Sequence, residues 1–302
     1  MRHFLEIDDL SAAELAEVLE RAERADHGSP LAGLGVALLF SKPSLRTRHS
    51  CEMGVIQLGG HPISVRPDEI GVNDRETPQD IARVLAGYHC LLGARVAGHD
   101  VVVAMAEPDA VPVVNLLSDD AHPCQALADL LTMRQVLGEL AGRTVAWVGD
   151  YNNVARSLAR GAAMSGMDVR LGCPEGYGPS EAELDRLAVL GAASVTHVHR
   201  PHEAADAADA VHTDVWTSMG FEAEAAARNR AFEGFIVDDS VMAAAAPGAV
   251  FMHCLPAHRG EEVAASVIDG PASVVIQQAH NRLHSFRALA WWLHEVNAGE
   301  GG

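Results

Sequence analysis

Short apolar runs alternate with stretches of helical periodicity along most of the chain, and this alternation restricts the possible folds more than any other feature. The runs predicted to be strands are 35–40, 62–65, 91–96, 111–117, 144–149, 168–173, 194–197, 210–215 and 250–254. Helical patterns separate most of them, at 49–58, 78–88, 124–137, 154–164, 180–190 and 202–208. Strands that alternate with helices in this way pair in parallel, and the helices cover both faces of the sheet.

A fresh series of strands and helices begins after Gly138, where the turn at 141–143 leads into a new strand. At 302 residues the chain is long enough to form two hydrophobic cores. The sequence therefore predicts an α/β fold with two doubly wound parallel-sheet domains of similar size, 1–137 and 138–284. A C-terminal helix within 285–302 is expected to cross back to the first domain.

Net charge, hydropathy and cysteine content narrow the possible partners. A net charge of −19 disfavours binding to a nucleic-acid backbone or to an anionic membrane. No apolar run approaches the roughly 18–20 residues of a membrane span, and the start of the sequence lacks a signal-peptide layout. The five cysteines are widely spaced and include no CxxC pair. We therefore expect a reduced cytoplasmic protein that has no structural zinc.

The segment that follows the first predicted strand has the composition of an anion-binding site. Ser44 and Thr47 carry hydroxyl groups, and Arg46 and Arg48 carry positive charge, at the point where a strand leads into a helix. Backbone N–H groups at a helix N-terminus favour an anion, and arginine binds phosphate oxygens well. This pattern predicts a site for a phosphorylated ligand, and a solvated basic helix start is the alternative.

Other chemically capable residues also lie at predicted strand ends, where open α/β sheets bind their ligands. They are Arg95, the segment 122–125, Asp214 and the segment 253–256. Taken singly, each has a structural alternative: a histidine before proline often only caps a helix, and a cysteine at a strand end often packs in the core.

A nicotinamide oxidoreductase is an alternative from another class of protein. The turn at 149–153 follows a strand and opens a helix, as dinucleotide-binding loops do. It lacks the second and third glycines of the GxGxxG pattern, which disfavours this interpretation.

Taken together and in this order, the motifs resemble those of the aspartate/ornithine carbamoyltransferase family, and in particular its ornithine branch. The matching segments are SLRTR at 44–48, ARVL at 82–85, ARV at 94–96, HPCQ at 122–125, DVWTSMG at 214–220, HCLPAHRG at 253–260 and NRLH at 281–284.

The resemblance implies that the amino-terminal domain binds carbamoyl phosphate. By that mapping the ligand contacts are Ser44, Leu45 (through its backbone N–H), Arg46, Thr47, Arg95, His122, Gln125, Cys254, Leu255 and Arg282. Carbamoyl transfer develops negative charge on the carbonyl oxygen, and donors such as Arg95, Thr47 and His122 would stabilise it.

The resemblance further implies that the carboxy-terminal domain binds L-ornithine and that the reaction yields L-citrulline and phosphate without a metal or an organic cofactor. The acceptor contacts would be Asn153, Asp214, Ser218 and Met219. Asp214 would pair with the α-ammonium group, and Cys254 would orient the δ-amine or assist its deprotonation. Arg95, His122, Cys254 and Asp214 are accordingly the predicted catalytic residues.

Two further implications concern assembly and acceptor choice. The family works as trimers or dimers of trimers, so a homotrimer is expected, with Arg75 as a candidate contact to a neighbouring subunit's site. Leu45 stands where ornithine enzymes usually carry threonine. Another amine therefore stays open as the acceptor: an N-acyl-ornithine, putrescine or a specialised-metabolite precursor. A catalytically silent homologue that only binds carbamoyl phosphate is a third alternative, which the intact set of Arg46, Arg95, His122 and Asp214 disfavours.

Overall fold

The computed structural model describes residues 1–66, 69, 71–72, 75–217 and 222–299. The chain divides into two compact units, one formed by Met1–Ala128 with His280–Gly302 and the other by Asp129–Ala279. The division predicted at residues 137 and 138, with a return at 285, stays a prediction.

The first unit contains a four-stranded, fully parallel sheet with the order β2-β1-β3-β4. Its strands are β1 Gly35–Phe40, β2 His61–Val65, β3 Leu91–Arg95 and β4 Val113–Leu117. Its helices are α1 Ala12–Glu23, α2 Leu45–Gln57, α3 Pro78–Ala86 and α4 His99–Ala106. Two longer helices, α5 Pro123–Leu137 and α12 Val275–Gly299, each include residues of both units.

The second unit contains a five-stranded, fully parallel sheet with the order β7-β6-β5-β8-β9. Its strands are β5 Thr144–Val148, β6 Asp168–Gly172, β7 Ser194–Val198, β8 Ala210–Thr213 and β9 Val250–His253. Its helices are α6 Asn153–Met164, α7 Glu181–Leu190, α8 Pro201–Ala205, α9 Ala225–Ala231, α10 Asp239–Ala244 and α11 Ala265–Ile268.

The central strands are buried on both faces, as parallel strands between helix layers require. All residues of β3, β5 and β8 are buried, and so are those of β1 after Gly35. Several helices begin at a residue whose side chain caps the first turn. Ser11 begins α1 with a capping box, in which its side chain accepts from the Glu14 N–H and the Glu14 side chain accepts from the Ser11 N–H.

Each sheet reverses its strand order once, between β1 and β3 in the first unit and between β5 and β8 in the second. At these two points the connecting segments leave the strands in opposite directions, which opens a crevice at the carboxyl ends. Phe40 pairs with Arg95 at the first reversal, and Val148 pairs with Thr213 at the second. The residues that follow β1, β3, β5 and β8 are therefore placed where a ligand can bind.

The predicted fold class is confirmed: both sheets are parallel, helices alternate with strands, and α12 ends the chain. Several helices escaped the sequence analysis, namely α1, α4, α9, α10 and α11. Two helix starts lie well before the predicted residue: α2 begins at Leu45 rather than at residue 49, and α12 begins at Val275 rather than at residue 285. None of the helices among the described residues combines the length and the hydropathy that a membrane span needs.

We expect the core around β1 to dominate the stability of the first unit. Leu38 is fully buried, so Leu38→Ala should lower the free energy of unfolding by about 2–5 kcal/mol. Val84 on α3 is 52 % exposed, and Val84→Ala should change that free energy by less than about 0.5 kcal/mol. Urea unfolding of the two variants measures both values, and equal shifts would contradict this assignment of the core.

Candidate active site

In the first unit, the segment between β1 and α2 is hydrogen-bonded to the end of β3. The backbone N–H of Ser41 donates to the carbonyl oxygen of Arg95 at 2.8 Å, and the Ser41 hydroxyl donates to the same oxygen at 3.1 Å. Strand pairing places Phe40 opposite Arg95. The segment that leads from β1 into α2 therefore lies beside the side chain of Arg95.

The first turn of α2 is available to an anion. Ser44 is the N-cap residue of α2. Its side chain makes no capping hydrogen bond with any described residue, and the described first turn contains no acidic residue. The first N–H groups of a helix lack partners within the helix, and the helix dipole favours negative charge beside them. This turn thus has the properties of a phosphate-binding helix start.

Two buried guanidinium groups converge on one hydroxyl group beside that turn. Arg95 Nη1 donates to Thr47 Oγ1 at 3.2 Å, and Arg282 Nη2 donates to the same oxygen at 3.1 Å. Arg282 also donates through Nη1 to the side-chain oxygen of Gln125. The four side chains are at most 7 % exposed. Their arrangement makes the local potential positive in a region that contains little water.

His122 titrates far from its usual range because of this environment. The side chain is 5 % exposed, and its pKa lies well below the usual value of histidine. Burial is the main cause, and the positive charges of Arg282, Arg95 and Arg46 add to it. His122 is therefore a neutral imidazole at pH 7, able to donate one hydrogen bond and to accept one.

In the second unit, a carboxylate is presented at the end of β8. Asp214 is 8 % exposed and accepts a hydrogen bond from Asn152 Nδ2 at 2.9 Å. The Cys254 thiol, at the end of β9, donates to the other oxygen of Asp214 at 3.1 Å. Asn152 also caps α6, because its Oδ1 accepts from the N–H groups of Val154 and Ala155. Three strand ends, those of β5, β8 and β9, thus meet at Asp214.

The turn after β9 is fixed by a buried histidine. The Leu255 N–H donates to His253 Nδ1 at 2.8 Å, so this nitrogen carries no proton and Nε2 carries it. His253 Nε2 lies 3.1 Å from Glu262 Oε1, and both side chains are fully buried. Leu255 has a φ of +58° and precedes a cis bond to Pro256. The His253 ring thereby fixes the backbone on which Cys254 and Leu255 lie.

Arg228 is a site-supporting residue that the sequence analysis missed. Its Nη1 forms an ion pair with Asp150 at 2.6 Å and donates to the Trp216 carbonyl at 3.2 Å. The guanidinium carbon also lies 5.2 Å from the ring centroid of Tyr177. Burial raises the pKa of Asp150 even though Arg228 acts in the opposite direction. Arg228 is one of two arginines in a short, alanine-rich helix, so the sequence contained little to single it out.

The structure brings some of the predicted site residues together and leaves others apart. Thr47, Arg95, Gln125 and Arg282 are linked by hydrogen bonds in the first unit, and Asp214 and Cys254 are linked in the second. Ser44 and Arg46 are half-buried at the start of α2. Leu45 is 72 % exposed and Arg75 is exposed, while Asn153 begins α6 and Leu255 follows β9. Ser218 and Met219 lie outside the described residues.

Three potential metal ligands lie close together in the second unit. One ligand atom each from Asp214, His253 and Cys254 lies within 4.8 Å of the others. Both ring nitrogens of His253 already have partners, however: Nδ1 accepts from the Leu255 N–H and Nε2 faces Glu262. His253 would have to give up one of these contacts to bind an ion, so the donor set fits a metal poorly.

Two family models together match most of the chain. Residues 2–135 match the family model for the carbamoyl-P binding domain of aspartate/ornithine carbamoyltransferase, and residues 141–293 match the model for its Asp/Orn binding domain. The chain belongs to the aspartate/ornithine carbamoyltransferase family.

Individual relatives cover nearly the full length of this family member. An ornithine carbamoyltransferase of Acidothermus cellulolyticus is 48 % identical, and the match covers 100 % of this chain and 99 % of that protein. The structure of an ornithine carbamoyltransferase from Pyrococcus furiosus has a TM-score of 0.91 and 42 % identity, over 96 % of both chains. An N-acetyl-L-ornithine transcarbamylase has a TM-score of 0.86 and 32 % identity, over 96 % of this chain and 99 % of that one.

The depressed pKa of His122 should be visible in the pH dependence of stability. Below pH 6.5 an unfolded histidine takes up a proton and folded His122 does not, so the folded state loses stability as the pH falls. His122→Asn should reduce the slope of unfolding free energy against pH in this range by up to about 1.4 kcal/mol per unit. Urea unfolding of the ligand-free protein at a series of pH values measures it. The exposed His61→Asn is the control substitution, and an equal effect of both changes would contradict the assignment.

Proposed function

We propose that the chain transfers the carbamoyl group of carbamoyl phosphate to the δ-amine of L-ornithine, giving L-citrulline and phosphate. The convergence of the buried Arg95 and Arg282 on Thr47, at an uncapped helix start, is the observation that carries the proposal. Relatives named ornithine carbamoyltransferase, which match over the full length, support it independently.

In this proposal the first unit binds carbamoyl phosphate. The phosphate accepts hydrogen bonds from the first turn of α2 and from nearby side chains. Its proposed ligands are Ser44, the Leu45 N–H, Arg46, Thr47, Arg95 and Arg282. The carbamoyl group lies toward His122 and Gln125. A neutral His122 can donate to the carbonyl oxygen without adding a charge, while the guanidinium group of Arg95 stabilises the negative charge that develops there.

The second unit binds the amino acid in this proposal. The Asp214 carboxylate pairs with the α-ammonium group of ornithine, and its hydrogen bonds from Asn152 and Cys254 hold it in place. The Cys254 thiol and the Leu255 carbonyl orient the δ-amine. Asn153 is proposed as a further ornithine contact, and so are Ser218 and Met219, which lie outside the described residues.

The chemical step follows from these roles. The neutral δ-amine of ornithine attacks the carbonyl carbon, a tetrahedral intermediate forms, and its collapse breaks the bond to the phosphate oxygen. The nitrogen gives one proton to the departing phosphate, which leaves as an anion that the two arginines and α2 stabilise. Holding both substrates in a reactive orientation provides much of the rate enhancement.

We also propose a cytoplasmic homotrimer in which Arg75 reaches a neighbouring subunit's site. Arg75 is exposed in a turn, which is compatible with such a contact. Analytical ultracentrifugation distinguishes a trimer from a monomer. A loss of citrulline formation in Arg75→Ala with the trimer intact would support the shared site, and normal turnover would contradict it.

An N-acyl-ornithine is the second candidate acceptor, and the exposed Leu45 favours it because this position departs from the usual threonine. The Asp214 carboxylate favours free ornithine, since an acylated α-nitrogen carries no charge for it to neutralise. Steady-state assays with ornithine, N-acetylornithine, N-succinylornithine and putrescine decide the question. We expect ornithine to saturate with the highest kcat/KM, and saturation by another amine alone would reject the proposal.

Arg95→Ala should lower kcat by about two orders of magnitude or more, because the substitution removes a charged donor to the developing oxyanion. Arg83→Ala is the matched control, since Arg83 is a surface arginine on α3 paired with Asp80. It should leave turnover unchanged. A citrulline-forming assay measures both variants, and near-normal turnover of Arg95→Ala would exclude the catalytic role of this arginine.

A further inference from the structure

The core of the second unit contains a polar network that the proposed chemistry does not use. Gln278, His212 and Asp129 are each at most 1 % exposed. They lie on three different elements, α12, β8 and α5. Burying polar groups is unfavourable unless they form hydrogen bonds, so their partners define what the network does.

The orientation of the Gln278 amide follows from one contact. Its Oε1 accepts a hydrogen bond from the backbone N–H of His253 at 2.9 Å. A backbone N–H can only donate, so the atom that faces it must be the oxygen and the nitrogen must face the other side. Gln278 Nε2 accordingly donates to Asp129 Oδ1 at 2.7 Å and lies 3.0 Å from His212 Nε2.

The tautomer of His212 follows in turn. Two N–H donors would not face each other at 3.0 Å, so His212 Nε2 accepts from the Gln278 amide and Nδ1 carries the proton. Nδ1 lies 3.1 Å from the Thr213 carbonyl oxygen, which accepts the hydrogen bond. The ring also stacks on Trp147, with 5.1 Å between the centroids. This arrangement gives a hydrogen-bond partner to each ring nitrogen of His212 and to the amide nitrogen of Gln278.

Gln278 therefore contacts two paired strands just before their functional residues. On β8 it contacts His212, two residues before Asp214, and on β9 it contacts the N–H of His253, next to Cys254. Beyond these contacts the Cys254 thiol donates to Asp214 at 3.1 Å. A small displacement of one strand end relative to the other would break that hydrogen bond.

We propose that Gln278 is a positioning residue for the acceptor site, whose amide holds the ends of β8 and β9 so that the Cys254 thiol meets the Asp214 carboxylate. Asp129 and His212 orient the amide for this role by occupying both hydrogens of its nitrogen. The effect on ornithine turnover rests on the proposed function, whereas the thiol–carboxylate contact can be measured without it.

The reactivity of the Cys254 thiol reports this contact directly. Alkylation of the ligand-free protein by iodoacetamide, followed by peptide mass spectrometry, gives the rate for Cys254 separately from the other cysteines. Gln278→Met keeps the length of the side chain and removes both polar atoms. We expect this substitution to move the Cys254 thiol away from the Asp214 carboxylate, whose negative charge disfavours the thiolate. Because the thiolate is the form that reacts with iodoacetamide, Cys254 should react about threefold faster or more.

Two control variants separate positioning from a general loss of stability. Gln278→Glu keeps an oxygen that accepts from the His253 N–H, and its second oxygen, when protonated, donates to Asp129. Leu187→Ala removes a fully buried side chain on α7, away from the network. At a temperature where all variants are folded, both controls should keep the wild-type alkylation rate of Cys254.

Steady-state kinetics provide a second readout. Gln278→Met should raise the KM for ornithine by about tenfold, the equivalent of one net hydrogen bond, and leave the KM for carbamoyl phosphate unchanged. A Cys254 alkylation rate equal to that of wild type or of Leu187→Ala would overturn the positioning role, and so would an equal rise in Gln278→Glu.

If Gln278→Met does not fold, Gln278→Asn serves for the same measurement. Its shorter side chain keeps the amide but withdraws the oxygen from the His253 N–H. The positioning role and the proposed function can also fail separately. If wild type does not carbamoylate ornithine and the alkylation rates follow the expectation, the function is wrong and the role of Gln278 holds.

Discussion

In the first unit, two buried arginines converge on a single hydroxyl group. Thr47 accepts hydrogen bonds from Arg95 and from Arg282, and it thereby holds two buried positive charges beside the same helix start. Like charges in a region of low dielectric repel each other strongly, so an arrangement of this kind favours the arrival of an anion. Burial is the main reason that the pKa of His122 is low, and these positive charges lower it further.

Both units present their functional side chains by the same structural principle. A parallel sheet aligns the carboxyl ends of its strands, and a reversal of strand order leaves room for a ligand beside them. In the first unit the reversal lies between the strands that precede Thr47 and include Arg95. In the second it lies between the strands that precede Asn152 and Asp214. The hydrogen bond between these last two side chains joins the two sides of that reversal.

The fold class was predicted correctly, and several residues of the candidate site were singled out, because both depend on local patterns. Apolar strands followed by polar residues located Thr47, Arg95 and Asp214. The start of α2 was predicted too late, because residues 45–48 include a single apolar side chain and so carry no hydrophobic periodicity. The start of α12 was also predicted too late.

Contacts between distant segments were beyond the same patterns. The hydrogen bond from Asn152 to Asp214, which joins residues 62 positions apart, had no counterpart in the sequence analysis. Arg228 and Gln278 owe their environments to partners far away in the chain, to Asp150 in one case and to Asp129 in the other. Nothing in the spacing of residues along the chain specifies such pairs.

The contrast between the −19 net charge of the chain and its buried guanidinium pair has a consequence for substrate capture. The negative field outside the protein repels an approaching acyl phosphate and extends only about 8 Å at physiological ionic strength. The attraction of the two enclosed cations is screened far less, because little water or salt reaches them. Added salt would therefore weaken the long-range repulsion of the ligand more than its attraction to the two buried arginines. A protein that binds anions on an exposed basic surface shows the opposite behaviour, because salt weakens its attraction.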